Sequence, residues 1–104
     1  MSIIDSRTGD EVLITVNCSS LAGDEATELK VKTVSLIESG VSKIQLDLAQ
    51  PEYIDSSGIG KLLFMNKKME KIGGEFSIIK INATLYEFLE SLAITKVMNI
   101  AQPL

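Results

Sequence analysis

The segment Lys43–Leu48 constrains the fold more than any other part of the sequence. Its side chains alternate strictly between polar and apolar, which is the pattern of a β-strand with one buried face. Strands buried on both faces of a parallel sheet read instead as continuous apolar runs. Segments with helical spacing of apolar residues lie on either side, and strands separated by helices pair in parallel through right-handed crossovers. The pattern therefore predicts an α/β fold whose helices cover mainly one face of the sheet.

The remaining segments fit this framework. Turn chemistry at Arg7–Asp10 predicts that the chain opens with a β-hairpin, and Asn82 is suited to cap a helix. Further strands are expected over residues 3–7, 12–16, 75–81 and, at an edge, 97–100, and helices from 22–24 to about 40, over 58–71 and over 83–92. The order is a hairpin followed by βαβαβα elements in a mixed sheet. A chain of 104 residues can bury one core but not two, so we expect one domain.

Composition removes several classes of function. The net charge of -4 argues against nucleic acid as a partner, because binding phosphates needs a surplus of Lys and Arg. The chain has no histidine, which removes Ser-His-Asp and Cys-His catalysis and the commonest metal ligand. Cys18 is the single cysteine, so no internal disulfide forms. We therefore expect no metal and no cofactor. We also expect no membrane insertion, since no apolar run approaches the ~18 residues of a membrane span. A cytoplasmic location is the expectation.

The stretch Pro51–Lys61 joins a predicted strand to a predicted helix and concentrates the chemistry. Asp55, Ser56 or Ser57 could each cap that helix, but one residue suffices, and two hydroxyls beside a carboxylate exceed that need. The glycine spacing fits neither a dinucleotide fingerprint nor a phosphate loop, and a nucleophile elbow requires a histidine. Gly58 and Gly60 fit a place where the backbone of another protein comes close.

The helix that follows carries a second candidate surface. Its polar side has four lysines with one aromatic residue, Phe64, among them. The lysines are Lys61, Lys67, Lys68 and Lys71. An aromatic residue among charges is a common anchor for a partner protein. The alternative interpretation is an ordinary solvated helix face with one stray aromatic side chain.

The octapeptide Tyr53–Gly60 resembles the signature of STAS domains, and within them that of the bacterial anti-sigma factor antagonists. The resemblance extends over nearly the whole chain, including Ile44–Leu48, Ile72–Glu75 and Leu85–Leu92. It implies a STAS-like α/β domain over residues 1–104, with helices on one face. That agrees with the fold predicted from the residue pattern.

The resemblance also implies a mechanism. The antagonists of this family bind an anti-sigma factor, often one with serine kinase activity, and thereby free the sigma factor. Phosphorylation by that kinase releases the antagonist, and a PPM-type phosphatase restores it. The phosphorylated residue is the first serine after the aspartate, here Ser56. The resemblance and the exposed aromatic together give the expected partner-binding residues Asp55, Ser56, Ser57, Gly58, Ile59, Gly60 and Phe64. No residue is expected to be catalytic, and no oligomeric state is predicted.

One loop departs from the family pattern. Ser19–Ala22 stands where the family usually has Gly-x-Leu-Asp, so Ala22 replaces the aspartate. Asp24 could substitute for it from a slightly different position. This departure motivates an alternative function, a STAS interaction module that is not switched at Ser56, such as a signalling scaffold or a regulatory subunit of a transporter. A hydrolase using Ser56 is disfavoured because the chain lacks histidine.

Overall fold

The computed structural model describes residues 2–103 and has the predicted α/β architecture. The strands are β1 (Ile3–Thr8), β2 (Glu11–Val16), β3 (Ser20–Leu21), β4 (Lys43–Leu48), β5 (Tyr53–Ile54), β6 (Glu75–Ile81) and β7 (Asn99–Ile100). The helices are α1 (Gly23–Glu38), α2 (Ser56–Lys71) and α3 (Ala83–Ser91), with a 3₁₀ turn at Ile94–Lys96. The predicted final strand over 97–100 is therefore shorter than expected, because part of that segment completes the turn.

The main sheet has five strands in the order β1-β2-β4-β6-β7. The opening hairpin is antiparallel, with Ile3 opposite Val16 and Thr8 opposite Glu11. The other three pairings are parallel. The sheet is therefore mixed, as the order of elements predicted.

The core lies between one face of this sheet and the helices. In β4 the apolar residues Ile44, Leu46 and Leu48 are fully buried, whereas Lys43, Gln45 and Asp47 are only partly buried. The alternation seen in the sequence thus corresponds to one covered face, as expected. Other fully buried large side chains include Ile3, Ile14, Leu21, Leu29, Ile54, Leu62, Met65, Met69 and Ile78. No helix within residues 2–103 is long and apolar enough to cross a membrane.

Two short strands, β3 and β5, form a separate parallel pair that the sequence did not predict. Ser20 lies opposite Tyr53, and Leu21 lies opposite Ile54. Because α1 begins two residues after β3 and α2 begins two residues after β5, this pair sets the first turns of the two helices side by side. Helix α2 also begins at Ser56, earlier than the predicted boundary near residue 58.

Candidate partner-binding site

The site is built at the head of α2, where the chain leaves β5. Asp55 has an extended backbone, with φ -93° and ψ 175°, and is the N-cap of the helix. Its carboxylate oxygen Oδ1 accepts a hydrogen bond from the backbone N–H of Gly58 at 2.6 Å. Of the three residues that could have capped the helix, Asp55 does so. This leaves both serine hydroxyls outside the cap.

Ser56 and Ser57 are the first two residues of α2, and both are exposed. The hydroxyl of Ser57 accepts a hydrogen bond from the ammonium group of Lys61 at 2.7 Å, one turn further along the helix. Ser56 therefore presents its hydroxyl to solvent at the positive end of the helix dipole. The first turn of α2 contains no acidic residue, so the carboxylate of the cap Asp55 is the negative group next to Ser56.

The two glycines of the motif have different surroundings. Gly58 is buried, and a Cβ atom placed there would lie 2.7 Å from Cγ1 of Ile54 and closer still to the carbonyl oxygen of Leu21. The close backbone approach that we expected from a partner is made at Gly58 by strand β3 of the chain itself. Gly60 is exposed, and a Cβ atom there would meet nothing within 4 Å. Of the two glycines, Gly60 is therefore the one that lies on the open surface.

One exposed strip of α2 extends from the motif along the helix. It consists of Ser56, Gly60, Phe64, Lys67 and Lys71, and is called the α2 strip below. At 100° per residue these positions fall within an arc of about 80°. Phe64 remains 43% exposed, and the ammonium group of Lys30 lies 4.4 Å from its ring centroid, a cation–π contact.

The structure thus brings together four of the expected partner-binding residues on one surface. Ser56, Ser57, Gly60 and Phe64 are exposed, and Asp55 beside them is half-buried. Ile59 is partly buried against the core. Gly58 and Ile59 therefore shape the site from within, and their contact with a partner stays a prediction.

Two exposed or partly exposed neighbours were not anticipated from the sequence. Tyr53, the first residue of the octapeptide, is 57% exposed. Buried Ile54 follows it in β5, but a strand of two residues is too short for alternation in the sequence to show which side chain points outward. Lys30 reaches Phe64 from α1, and no local sequence pattern connects these two residues.

The head of α1 lies beside the site and carries the departure from the family pattern. Ala22 precedes α1 and makes no side-chain cap. Asp24 and Glu25 stand in the first turn of that helix, and Asp24 is exposed. A carboxylate is therefore present near the head of α1, although it lies on the helix and not in the loop.

Cys18 lies in the loop that leads to β3. Its thiol donates a hydrogen bond to the carbonyl oxygen of Ser20 at 3.2 Å. Burial raises the pKa of Cys18, and the nearby carboxylate of Glu25 raises it further. The thiol is therefore kept protonated, which is the state of an unreactive cysteine.

Across residues 2–103, no group of three or more His, Cys, Asp or Glu side chains is placed to hold a metal ion.

Comparison with known proteins places this arrangement in context. Residues 5–100 match the family model described as "Mlab, STAS domain". The anti-sigma factor antagonist SpoIIAA in its unphosphorylated form superposes with a TM-score of 0.69 at 19% identity, covering 91% of this chain and 96% of that one. The phosphorylated form of SpoIIAA, a Bacillus cell fate determinant, gives 0.74 at 18% identity, covering 96% of this chain and 91% of that one.

A protein of Thermotoga maritima, provisionally assigned as an anti-sigma factor antagonist, gives a TM-score of 0.79 at 21% identity. The match covers 94% of this chain and 84% of the Thermotoga protein. At these identities the three structural matches establish a shared fold.

Proposed function

Because this chain belongs to the STAS domain family, we propose that it is a binding module that acts as an anti-sigma factor antagonist. In its unphosphorylated form it docks on an anti-sigma factor through the α2 strip and thereby frees a sigma factor. The serine kinase activity of that anti-sigma factor then phosphorylates Ser56, which releases the antagonist, and a PPM-type phosphatase reverses the change. In this role residues 1–104 act as one cytoplasmic domain that is a ligand and a substrate, not a catalyst.

The hydrogen bonds at the head of α2 support Ser56 as the switch, because they use the side chains of Asp55 and Ser57 and not that of Ser56. Asp55 supplies the cap, and Ser57 accepts a hydrogen bond from Lys61. Ser56 is exposed and is needed for neither contact. A phosphate on Ser56 adds ≈ -1.5 to -2 charges at neutral pH. The helix dipole favours negative charge at this end, so the fold can accept the modification.

The same phosphate would act strongly on a bound partner. Gly60 and Phe64 follow Ser56 at one and two turns, so the new charge lies about 6 and 12 Å from them along the helix axis. A partner that packs on Phe64 and Gly60 would meet this charge at the edge of the contact. A loss of ~3 kcal/mol in that contact lowers affinity by more than a hundredfold. The existence of a phosphorylated form of SpoIIAA, an anti-sigma factor antagonist of the same fold, is consistent with such a switch.

A phosphorylation assay tests the proposal. The protein is incubated with ATP and each kinase-type anti-sigma factor of the source genome, and the products are analysed by intact mass spectrometry. The wild type should gain one phosphate, Ser56→Ala none, and the matched control Ser57→Ala one. Absence of phosphate on the wild type, or an unchanged gain on Ser56→Ala, would contradict the assignment.

A second candidate function is an interaction module that is not switched at Ser56. Ala22 in place of the family aspartate favours it, because no carboxylate stands in the loop before α1. The family model is also described by a name other than that of the anti-sigma factor antagonists. In this case a pull-down recovers a partner without kinase activity, and Ser56→Asp binds that partner as well as the wild type does. Loss of binding by Ser56→Asp would favour the switched function instead.

A further inference from the structure

Strand β1 forms one edge of the main sheet, and no other strand within residues 2–103 pairs with its outer side. The backbone N–H of Asn17 donates to the carbonyl of Ser2 at 2.6 Å, so the carbonyl of Ser2 points toward β2. Backbone groups alternate in direction along an antiparallel strand. With Ile4 opposite Thr15 and Ser6 opposite Leu13, the N–H and C=O groups of Ile3, Asp5 and Arg7 therefore point away from the sheet.

The side chains of Asp5 and Arg7 lie on the helix side of this edge. Asp5 forms an ion pair with Lys32 of α1 at 2.7 Å. The guanidinium of Arg7 donates to the hydroxyl of Ser39 at 2.7 Å. Both charged side chains are thereby held in place along the edge, one residue on either side of Ser6.

This arrangement is complementary to itself. If a second β1 strand lies antiparallel across a two-fold axis at Ser6, Asp5 of one copy faces Arg7 of the other, twice. Shifting the axis by one residue would place Asp5 opposite Asp5, or Arg7 opposite Arg7, and like charges directly opposite each other are destabilising. In the Ser6 register the outward backbone groups of Asp5 and Arg7 also face each other and can exchange about four hydrogen bonds.

The surface between β1 and α1 exposes apolar side chains. A groove of about 540 Å³ lies between β1 and α1, with Val31 and Leu36 in its lining. Val31 is 63% exposed. An exposed edge strand is a template for pairing with another chain. A second copy placed across the Ser6 axis would bring its own α1 alongside this groove.

We propose that β1 pairs with β1 of a second copy of this chain, in the register centred on Ser6. The two five-stranded sheets then form one continuous sheet with α1 helices adjacent across the axis. The contact is isologous, as it is in every two-fold dimer. It lies at the opposite end of the sheet from β7 and does not involve the α2 strip, so it goes beyond the proposed function and stands independently of it.

Sedimentation velocity over 5 to 500 μM total protein, as rough working limits set by the weak affinity of small interfaces, tests the proposal. The wild type should show a concentration-dependent shift from monomer to dimer. Asp5→Arg and Arg7→Asp should each remain monomeric, because each places like charges opposite each other. An equimolar mixture of the two variants restores both opposite-charge pairs and should dimerise again. Lys67→Glu, a charge reversal on the α2 strip, is the control and should leave the wild-type shift unchanged.

Amide hydrogen exchange identifies the strand edge directly. The amides of Asp5 and Arg7 should become protected as the concentration rises, whereas those of Ile4 and Ser6, which face β2, should be equally protected at all concentrations. A wild type that stays monomeric over the whole range overturns the proposal. So does a dimer that persists in both charge-reversed variants, or one whose formation leaves the Asp5 and Arg7 amides unprotected.

Discussion

Replacing Gly58 and Gly60 by alanine, one at a time, should change stability in opposite directions. At Gly58 the new methyl group would overlap the carbonyl oxygen of Leu21 and the side chain of Ile54. The Leu21 carbonyl is backbone held in the β3–β5 pair, so it cannot move aside without disturbing that pair. Overpacking typically costs about 1–3 kcal/mol, and the rigid neighbour favours the upper end. The higher intrinsic helix propensity of alanine offsets about 1 kcal/mol of this cost.

The net expectation for Gly58→Ala is a loss of about 2 kcal/mol in the free energy of unfolding. For a domain of this size that lowers Tm by roughly 8 °C or more. Gly60 has open space around its Cα, so Gly60→Ala keeps only the helix term and should gain up to about 1 kcal/mol. Thermal and urea unfolding followed by circular dichroism measure both changes.

The two variants also separate a structural role from a binding role. A Gly58→Ala protein as stable as the wild type would refute the assignment of Gly58 to the internal contact with β3. A destabilised Gly60→Ala protein would refute the open surroundings of Gly60. If Gly60→Ala is stable but binds the partner more weakly, the partner's backbone approaches at Gly60, as the motif suggested.

Three further predictions concern single side chains. Asp55→Ala should lose about 1 kcal/mol of unfolding free energy, because the N–H of Gly58 loses its cap. Asp55→Asn should change the unfolding free energy by only about a few tenths of a kcal/mol, because asparagine also caps that N–H. Urea unfolding measures both changes. Thr33→Val should gain about 1 kcal/mol by the same assay, because the buried Thr33 hydroxyl has no hydrogen-bond partner in the described part of the chain. The raised pKa of Cys18 predicts slow alkylation by iodoacetamide near neutral pH. The folded state binds the thiol proton more tightly than the unfolded state does. The protonated thiol therefore contributes to stability below the unfolded-state pKa of Cys18, and this contribution is lost as pH rises through the folded-state pKa. The Cys18→Ala variant should lack this decline in stability.

The regular elements could be predicted because their signals are local. Alternation in Lys43–Leu48 and helical spacing in Leu85–Leu92 each depend on neighbours a few residues apart. The β3–β5 pair could not be predicted, because strands of two residues show no periodicity and are defined only by each other. The start of α2 was placed too late for a related reason. Gly58 reads as a helix boundary in the sequence, and only its contact with Leu21 explains a glycine inside the first turn.

The candidate site was predictable in its residue types but not in their individual roles. The excess of polar groups at Asp55–Ser57 was visible in the sequence, whereas the choice of Asp55 as the cap depends on backbone angles. Phe64 was recognised as an exposed aromatic, but its contact with Lys30 joins two helices that are far apart in the chain. The roles of the individual side chains at this site therefore depend on backbone conformation and tertiary packing, which local sequence patterns do not show.

The proposed switch requires that a negative charge at Ser56 alter binding without weakening the fold, and Ser56→Asp tests this requirement. Ser56 is the first residue of α2, where negative charge is favoured by about 0.3–1 kcal/mol. Repulsion from the adjacent Asp55 carboxylate opposes part of this gain. The net change in unfolding free energy should therefore lie between zero and about 1 kcal/mol of stabilisation. Lys71, 15 residues along α2, is about 22 Å away, beyond the screening length of about 8 Å. A double-mutant cycle of Ser56→Asp with Lys71→Glu should thus give no coupling in stability. If Ser56→Asp instead destabilises the protein by more than about 1 kcal/mol, loss of partner binding by that variant would report unfolding, and the argument for an interface effect at Ser56 would fail.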